Sequence, residues 1–123
     1  MNRKHQIIQK SCDLARDYYG ENKSPRELIG ASGYINLADE ITVEEIEEYI
    51  SEHPESRKKW ISYSMDKRTS TGWYLFFENL SGPFRVGYMH PDEKKRFEQN
   101  HDDLNWACSL YIKHELDSIA SGN

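Results

Sequence analysis

The chain opens with apolar positions spaced three and four residues apart, the pattern of an amphipathic helix. These positions predict one helix over residues 4–19 with a single buried face. The members of that face are Ile7, Ile8, Cys12, Leu14, Ala15, Tyr18 and Tyr19. Further along, Ser24 as the N-cap and Glu27 three residues later form a capping box, which predicts a short second helix.

A third helix is predicted over residues 42–53, where Thr42 and Glu45 repeat the capping-box spacing and Pro54 ends the helix. At about 100° per residue, its apolar and acidic residues separate onto opposite arcs. The apolar arc consists of Val43, Ile46, Tyr49 and Ile50. The opposite arc consists of Glu44, Glu45, Glu47, Glu48 and Glu52. The outer face of this helix is therefore predicted to be almost entirely carboxylate.

The pattern then changes to alternation, which is typical of β-strands. Residues 60–65 alternate and predict a first strand, although residues 55–59 continue a helix-like composition that also admits a helix there. Residues 73–78 are apolar on both faces and predict a central strand, and residues 84–90 alternate again. Short turns between the three segments favour an antiparallel meander.

The last third of the chain returns to helical patterns. Pro91 and the polar run after it predict a helix start, broken near Asn100. Asp102 or Asp103 then caps a final helix with an apolar stripe. The predicted fold is a single α+β domain over residues 1–123, with N-terminal helices, a small three-stranded antiparallel meander, and one or two C-terminal helices packed on the sheet.

Composition and charge restrict where the protein is expected to act and which class of partner it is expected to bind. The chain has 30% charged residues and a formal net charge of −5, which argues against nonspecific binding to nucleic acid or anionic membranes. No run approaches the roughly 20 apolar residues that span a bilayer, and the N-terminus lacks the apolar run of a signal peptide. Cys12 and Cys108 fall on helix faces, as expected for reduced thiols, unless the fold brings them together as a disulfide. We therefore expect a cytoplasmic protein.

No motif predicts a catalytic, cofactor-binding or metal-binding residue. His114 begins a pattern like the zinc-protease helix, but Ser118 stands where the second histidine ligand is required. His101, Asp102 and Asp103 include metal-ligand types, yet acidic residues at a helix start are explained by the helix dipole. The sequence also lacks a glycine-rich phosphate loop.

The strongest functional feature is the acidic helix. Eight of the seventeen residues from 39 to 55 are Asp or Glu, and none is Lys or Arg. Glu–Lys pairs spaced four residues apart stabilise a helix by about 0.2–0.5 kcal/mol each, and like-charge pairs cost a similar amount. Glu44–Glu48 and Glu48–Glu52 are both like-charge pairs. One interpretation is a solvated outer face, and the other is a negative surface kept for a positively charged partner.

A basic cluster follows the acidic helix and has two interpretations of its own. Its members are Arg57, Lys58, Lys59, Lys67 and Arg68. These cations would bind phosphate if they lay together on one face, or they would neutralise the acidic helix within the fold. We favour neutralisation, because scattered cations beside an acidic helix make a poor nucleic-acid footprint.

Residues 66–90, DKRTSTGWYLFFENLSGPFRVGYMH, and the preceding VEEIEEYISEHPESRKKWISYS resemble small cytoplasmic immunity proteins. Such proteins are encoded beside bacterial polymorphic toxins, including those of contact-dependent growth inhibition systems. The similarity is one of size, acidic character and an α+β plan around a Trp- and Tyr-rich hairpin, and it assigns no subfamily. It implies a binding protein, without enzymatic activity, that occludes the active site of a cognate toxin, expected to be a basic nuclease.

Under this resemblance, the carboxylates of the acidic helix take the place of substrate phosphates in a cationic cleft. Exposed aromatic residues, with Tyr34 among the candidates, would supply the anchoring contacts. The predicted partner-binding residues are Glu44, Glu45, Glu47, Glu48, Glu52, Tyr49, Trp60 and Trp73.

Three alternative functions stay open at this point. A small enzyme would need a pocket near the sheet that brings His90 or His101 close to Tyr63 or Ser64. A nucleic-acid-associated accessory domain would need the basic cluster on one face. A self-associating protein would pair its aromatic sheet with a second copy as a homodimer.

Overall fold

Helices fill the first half of the chain, and a small sheet followed by one long helix fills the second. The structure is a computed structural model and describes residues 3–66 and 72–122. In this part of the chain the helices are α1 (Arg3–Cys12), α2 (Leu14–Gly20), α3 (Pro25–Ser32), α4 (Tyr34–Leu37), α5 (Val43–Glu52), α6 (Pro54–Asp66) and α7 (Leu104–Ala120). The strands are β1 (Gly72–Phe76), β2 (Phe84–Met89) and β3 (Phe97–His101). The predicted α+β class, with N-terminal helices and the C-terminal helix on the sheet, is confirmed.

The sheet is an antiparallel meander in the order β1-β2-β3, as predicted, but its strands differ from the predicted ones. The central strand is β2, whereas residues 73–78, predicted to be central, contribute the edge strand β1. Tyr88 on β2 lies opposite both Trp73 on β1 and Phe97 on β3. A Cβ atom at Gly87 would overlap the Tyr74 hydroxyl and the Phe97 carbonyl, so glycine allows the neighbouring strands to approach β2 closely.

The strand predicted over residues 60–65 is wrong, because these residues belong to α6. The buried residues of α6 are Ser56, Trp60, Tyr63 and Ser64. Their spacings of four, seven and eight residues from the first are those of a helix face. The apparent alternation arose because serines happen to separate the bulky side chains, and Pro54 at the helix start is the stronger local signal.

The helix predicted after Pro91 is also wrong. Glu93–Lys95 form a single 3₁₀ turn, and β3 follows it. The residues of β3 are mostly polar and carry a weak strand signal, so pairing with β2 decides their conformation.

The single helix predicted over residues 4–19 is interrupted at Asp13, which separates α1 from α2. Asp13 is 4% exposed, and its carboxylate accepts hydrogen bonds from the Tyr49 hydroxyl at 2.9 Å and the Ser56 hydroxyl at 2.6 Å. At the same break, Trp60 Nε1 donates to the Cys12 carbonyl oxygen at 2.6 Å. We call Asp13, Tyr49, Ser56 and Trp60 the Asp13 cluster. It ties the helix break to α5 and α6.

The core lies between these helices and α7. Trp60 and Tyr111 are fully buried and pack edge to face with their ring centroids 6.1 Å apart. Cys12 and Cys108 are fully buried free thiols, as predicted. Burial raises the pKa of Cys108 to about 12 and raises that of Cys12 as well, so both thiols stay protonated at neutral pH.

The Ser64 side chain closes the outer edge of β1. Its hydroxyl donates to the Leu75 carbonyl oxygen at 2.9 Å and accepts from the Leu75 amide at 2.8 Å. A side chain therefore takes the place that a further strand would occupy at this position.

We predict that Asp13→Ala lowers the free energy of unfolding by about 3 kcal/mol. The substitution leaves the buried hydroxyls of Tyr49 and Ser56 without their acceptor, and each unsatisfied group costs about 1–3 kcal/mol. Urea unfolding followed by circular dichroism measures the change. Asp39→Ala, at an exposed position, is the matched control and should change stability by less than about 0.5 kcal/mol. Equal stability of the two variants would contradict a structural role for the Asp13 cluster.

Candidate functional site

The acidic arc of α5 faces outward because the opposite arc is anchored in the core. Ile46 and Ile50 are fully buried and Tyr49 is 7% exposed. The predicted capping box begins the helix: Glu45 N donates to the Thr42 hydroxyl at 3.2 Å, and Thr42 N donates to the Glu45 carboxylate at 3.0 Å. The helix is thus fixed at its start and along its inner face.

Glu44, Glu48 and Glu52 are spaced four residues apart and form an exposed ridge along α5. In the part of the chain that the structure describes, none of the three forms an ion pair. Successive residues on this ridge lie about 6 Å apart along the helix axis, so like charges follow one another on the same side of α5.

Glu45, by contrast, is paired within the fold. Lys4 Nζ on α1 lies 3.1 Å from Glu45 Oε2. Partial burial opposes ionisation of Glu45, but the hydrogen bond from the Thr42 backbone and the charge of Lys4 outweigh it and lower the pKa of Glu45. Among the five glutamates predicted to bind a partner, Glu45 is therefore the one that already forms an ion pair within the fold.

Glu47 extends the acidic surface from α5 to the start of α7. Asp103 is the N-cap of α7 and accepts a hydrogen bond from the Trp106 amide at 3.0 Å. Partial burial and the neighbouring Asp103 carboxylate raise the pKa of Glu47. We call Glu44, Glu47, Glu48, Glu52 and Asp103 the acidic face. The sequence did not indicate Asp103 as part of this surface, because its proximity to Glu47 depends on how α5 packs on α7.

A groove of about 240 Å³ runs between α1 and α5 beside the acidic face. Its lining residues are Lys4, His5, Ile8, Glu45, Glu48, Tyr49, Glu52 and His53. His53 stacks on Tyr49 with ring centroids 4.0 Å apart and an interplanar angle of 15°. Apolar and aromatic surface next to carboxylates suits a long basic side chain, which packs its stem on the former and directs its charge to the latter.

The expectation that Tyr34, Tyr49 and Trp60 are exposed anchors is wrong. Tyr34 and Trp60 are fully buried and Tyr49 is nearly so. Each polar atom has an internal acceptor: Asp117 for Tyr34, Asp13 for Tyr49 and the Cys12 carbonyl for Trp60. Buried Tyr and Trp side chains generally find such partners. Tyr34 and Trp60 therefore do not contribute to an accessible surface, and Tyr49 does so only through its edge at the groove.

Trp73 lies on β1 against α7 and is partly buried. Its ring stacks on His114 with centroids 3.8 Å apart and an interplanar angle of 5°. Burial lowers the pKa of His114, so the stacked imidazole is neutral at neutral pH. The residue that suggested a zinc-protease helix thus packs on the sheet, and no cluster of three or more metal-ligand residues occurs among residues 3–66 and 72–122.

The basic cluster does not neutralise the acidic face through its described members. Arg57 Nη1 donates to Asn105 Oδ1 at 2.7 Å, and Lys59 lies over the Tyr19 ring at 5.4 Å from its centroid. Lys67 and Arg68 lie outside the described residues. The described cation that pairs with an α5 carboxylate is instead Lys4.

Three of the four residues suggested for an enzyme have other contacts in the structure, whereas the Nε2 atom of His101 is buried without a hydrogen-bond partner among the described residues. The Ser64 hydroxyl forms hydrogen bonds with the Leu75 backbone. Burial and the neighbouring Glu115 carboxylate raise the pKa of Tyr63. His90 accepts a hydrogen bond from the Asp92 amide at 3.0 Å within its own loop.

No family model, curated protein or solved structure matches the chain. Across the described ranges, every helix is too short or too polar to cross a membrane.

We predict that Glu47→Gln and Glu45→Gln change stability in opposite directions at pH 7. The folded protein raises the pKa of Glu47 above its ordinary value of 4.5, so its stabilising contribution is complete below that value and is lost as pH rises. Glu47→Gln removes this loss and should raise the free energy of unfolding at pH 7.

Glu45 has a lowered pKa, so its contribution is present at neutral pH and is lost on acidification. Glu45→Gln should therefore lower the free energy of unfolding at pH 7. Urea titrations at several pH values measure both effects, and each difference from the wild type should disappear in acid. Changes of the same sign at pH 7 would contradict the assigned surroundings of the two carboxylates.

Proposed function

We propose that this protein is an immunity-type inhibitor that binds a basic protein toxin, expected to be a nuclease, and covers its active site. The observation that carries the proposal is the acidic face itself. Carboxylates from α5 and from the start of α7 lie together, and the raised pKa of Glu47 reflects its burial and its proximity to Asp103. A neighbouring cation would relieve this repulsion, and a cationic partner would supply one.

The mechanism follows from the position of the carboxylates on one helix that is anchored in the core. A nuclease cleft binds phosphates with Lys and Arg side chains, and the ridge of Glu44, Glu48 and Glu52 presents negative charges to such a cleft without a cleavable bond. The summed field of the ridge would steer association and speed the on-rate, most strongly at low salt.

The groove between α1 and α5 supplies the contacts that charge alone does not. Because the predicted aromatic anchors are buried, the apolar contribution in this proposal comes from Ile8, Tyr49 and His53 in the groove. An Arg or Lys side chain of the toxin would enter there, with Glu48 and Glu52 beside its charge. The proposed inhibitor needs no cofactor and acts in the cytoplasm of the cell that makes it.

We predict that Glu44→Lys combined with Glu48→Lys weakens binding to the toxin by roughly tenfold or more, because each attractive charge becomes repulsive. The partner is recovered by affinity capture from a lysate of the organism that encodes the chain, and the dissociation constant is then measured with purified proteins at low and high salt. Glu78→Lys with Glu93→Lys changes the net charge equally at exposed positions outside the acidic face and is the matched control.

The decisive readout is growth. The captured protein should be toxic when expressed alone, and the wild type and the control variant should restore growth while the double Lys variant of α5 restores it less. If the double variant bound and protected as well as the wild type, the acidic face would be ordinary solvated surface. If the captured protein were harmless, the inhibitor proposal would fail.

A further inference from the structure

The outer edge of β3 is open, in contrast to that of β1. In the described part of the chain, β2 is the strand that pairs with β3, and Phe97 to Asn100 are all exposed. At the opposite edge of the sheet, the Ser64 hydroxyl forms hydrogen bonds with both backbone groups of Leu75. An exposed edge strand presents unpaired amides and carbonyls, and natural edges are usually blocked by Lys, Pro or a bulge. The β3 sequence FEQNH contains neither Lys nor Pro.

The residues that flank β3 carry opposite charges on its two sides. Lys94, Lys95 and Arg96 precede the strand, and Asp102 and Asp103 follow it. An antiparallel pairing of β3 with a second copy, centred on Gln99, sets the basic flank of each copy opposite the acidic flank of the other. The opposed pairs in this register are Arg96 with Asp102, Phe97 with His101, and Glu98 with Asn100.

This register sets opposite charges against each other at both ends of the strand. One opposite-charge pair, Arg96 with Asp102, occurs on each side of the twofold axis, no like charges face each other, and the Phe97–His101 pair covers an aromatic ring that is 42% exposed. Arg96 is already oriented at the start of the strand, because its Nε donates to the His90 carbonyl oxygen at 2.7 Å. Its terminal nitrogens remain for a carboxylate. Asp102 is exposed and has no hydrogen-bond or ion-pair partner among the described residues.

We propose that two copies of this chain pair through their β3 edges, antiparallel and centred on Gln99, so that their two sheets join into one continuous sheet. The surface involved is distinct from the ridge of α5, and the proposal does not depend on the inhibitor function. The partner is a second copy because the charges at the two ends of β3 complement each other in this arrangement.

Charge exchange between the two ends of β3 tests the register. Arg96→Asp alone and Asp102→Arg alone each set like charges opposite one another in a homodimer, so each should raise the dissociation constant by about tenfold. In an equimolar mixture of the two variants, residues 96 and 102 are again of opposite sign in both pairs of the mixed dimer, and dimers should return. Sedimentation velocity over a range of concentrations measures the mass. Lys58→Asp and Glu78→Arg, at exposed positions outside the β3 segment, are the controls and should dimerise as the wild type does.

A crosslink gives a second test that leaves the flanking charges intact. At the twofold axis the two Gln99 residues oppose each other directly, at a Cα separation of about 4.5–5.5 Å that a disulfide spans. Gln99→Cys should therefore form a disulfide-linked dimer under mild oxidation. Glu98→Cys is the matched control, because its direct neighbour in the other copy is Asn100 and not its own counterpart. Cys12 and Cys108 are buried and should not interfere.

Dimers of the wild type, their loss in each single charge variant, their return in the mixture and the selective Gln99→Cys crosslink would support the proposal. A wild type that stays at monomer mass up to millimolar concentration would overturn it. Dimerisation of Arg96→Asp as strong as that of the wild type, or equal crosslinking of Gln99→Cys and Glu98→Cys, would overturn the proposed register and with it the edge pairing.

Discussion

The buried carboxylate of Asp13 lies at the break between α1 and α2 and accepts hydrogen bonds from Tyr49 on α5 and Ser56 on α6. Burying a carboxylate costs free energy unless hydrogen bonds compensate for the lost water. The positions of the two hydroxyl donors are therefore constrained together with that of Asp13. Because Tyr49 points inward to reach Asp13, the arc of glutamates on the other side of α5 must point outward. The acidic face thus depends on a contact within the core.

Local signals predicted the parts of the fold that are decided locally. The capping boxes at Ser24 and Thr42 depend on residues three positions apart, and both form as the sequence indicates. The helix break at Asp13 depends on partners 36 and 43 residues away, and no local pattern signals it. The same holds for β3, whose polar residues adopt a strand through pairing with β2.

The candidate site divides in the same way. The glutamates of α5 follow from the helical period alone, so Glu44, Glu48 and Glu52 were predicted to face outward and do. The addition of Asp103 requires knowledge of how α5 packs on α7. The prediction of exposed aromatic anchors was wrong because the hydrogen-bond partner of a buried indole or phenol can be distant in sequence. For Trp60 that partner is the Cys12 carbonyl oxygen.

Carboxyl footprinting of the free protein and of its complex with the captured toxin shows whether the toxin covers the acidic face. Carbodiimide coupling labels accessible carboxylates, and mass spectrometry reads each site separately. We expect Glu44, Glu48 and Glu52 to lose labelling in the complex, whereas Glu78 and Glu93, which are also exposed, should keep it. Unchanged labelling of the α5 ridge in a stable complex would show that the toxin binds elsewhere and that the acidic face is not its binding surface.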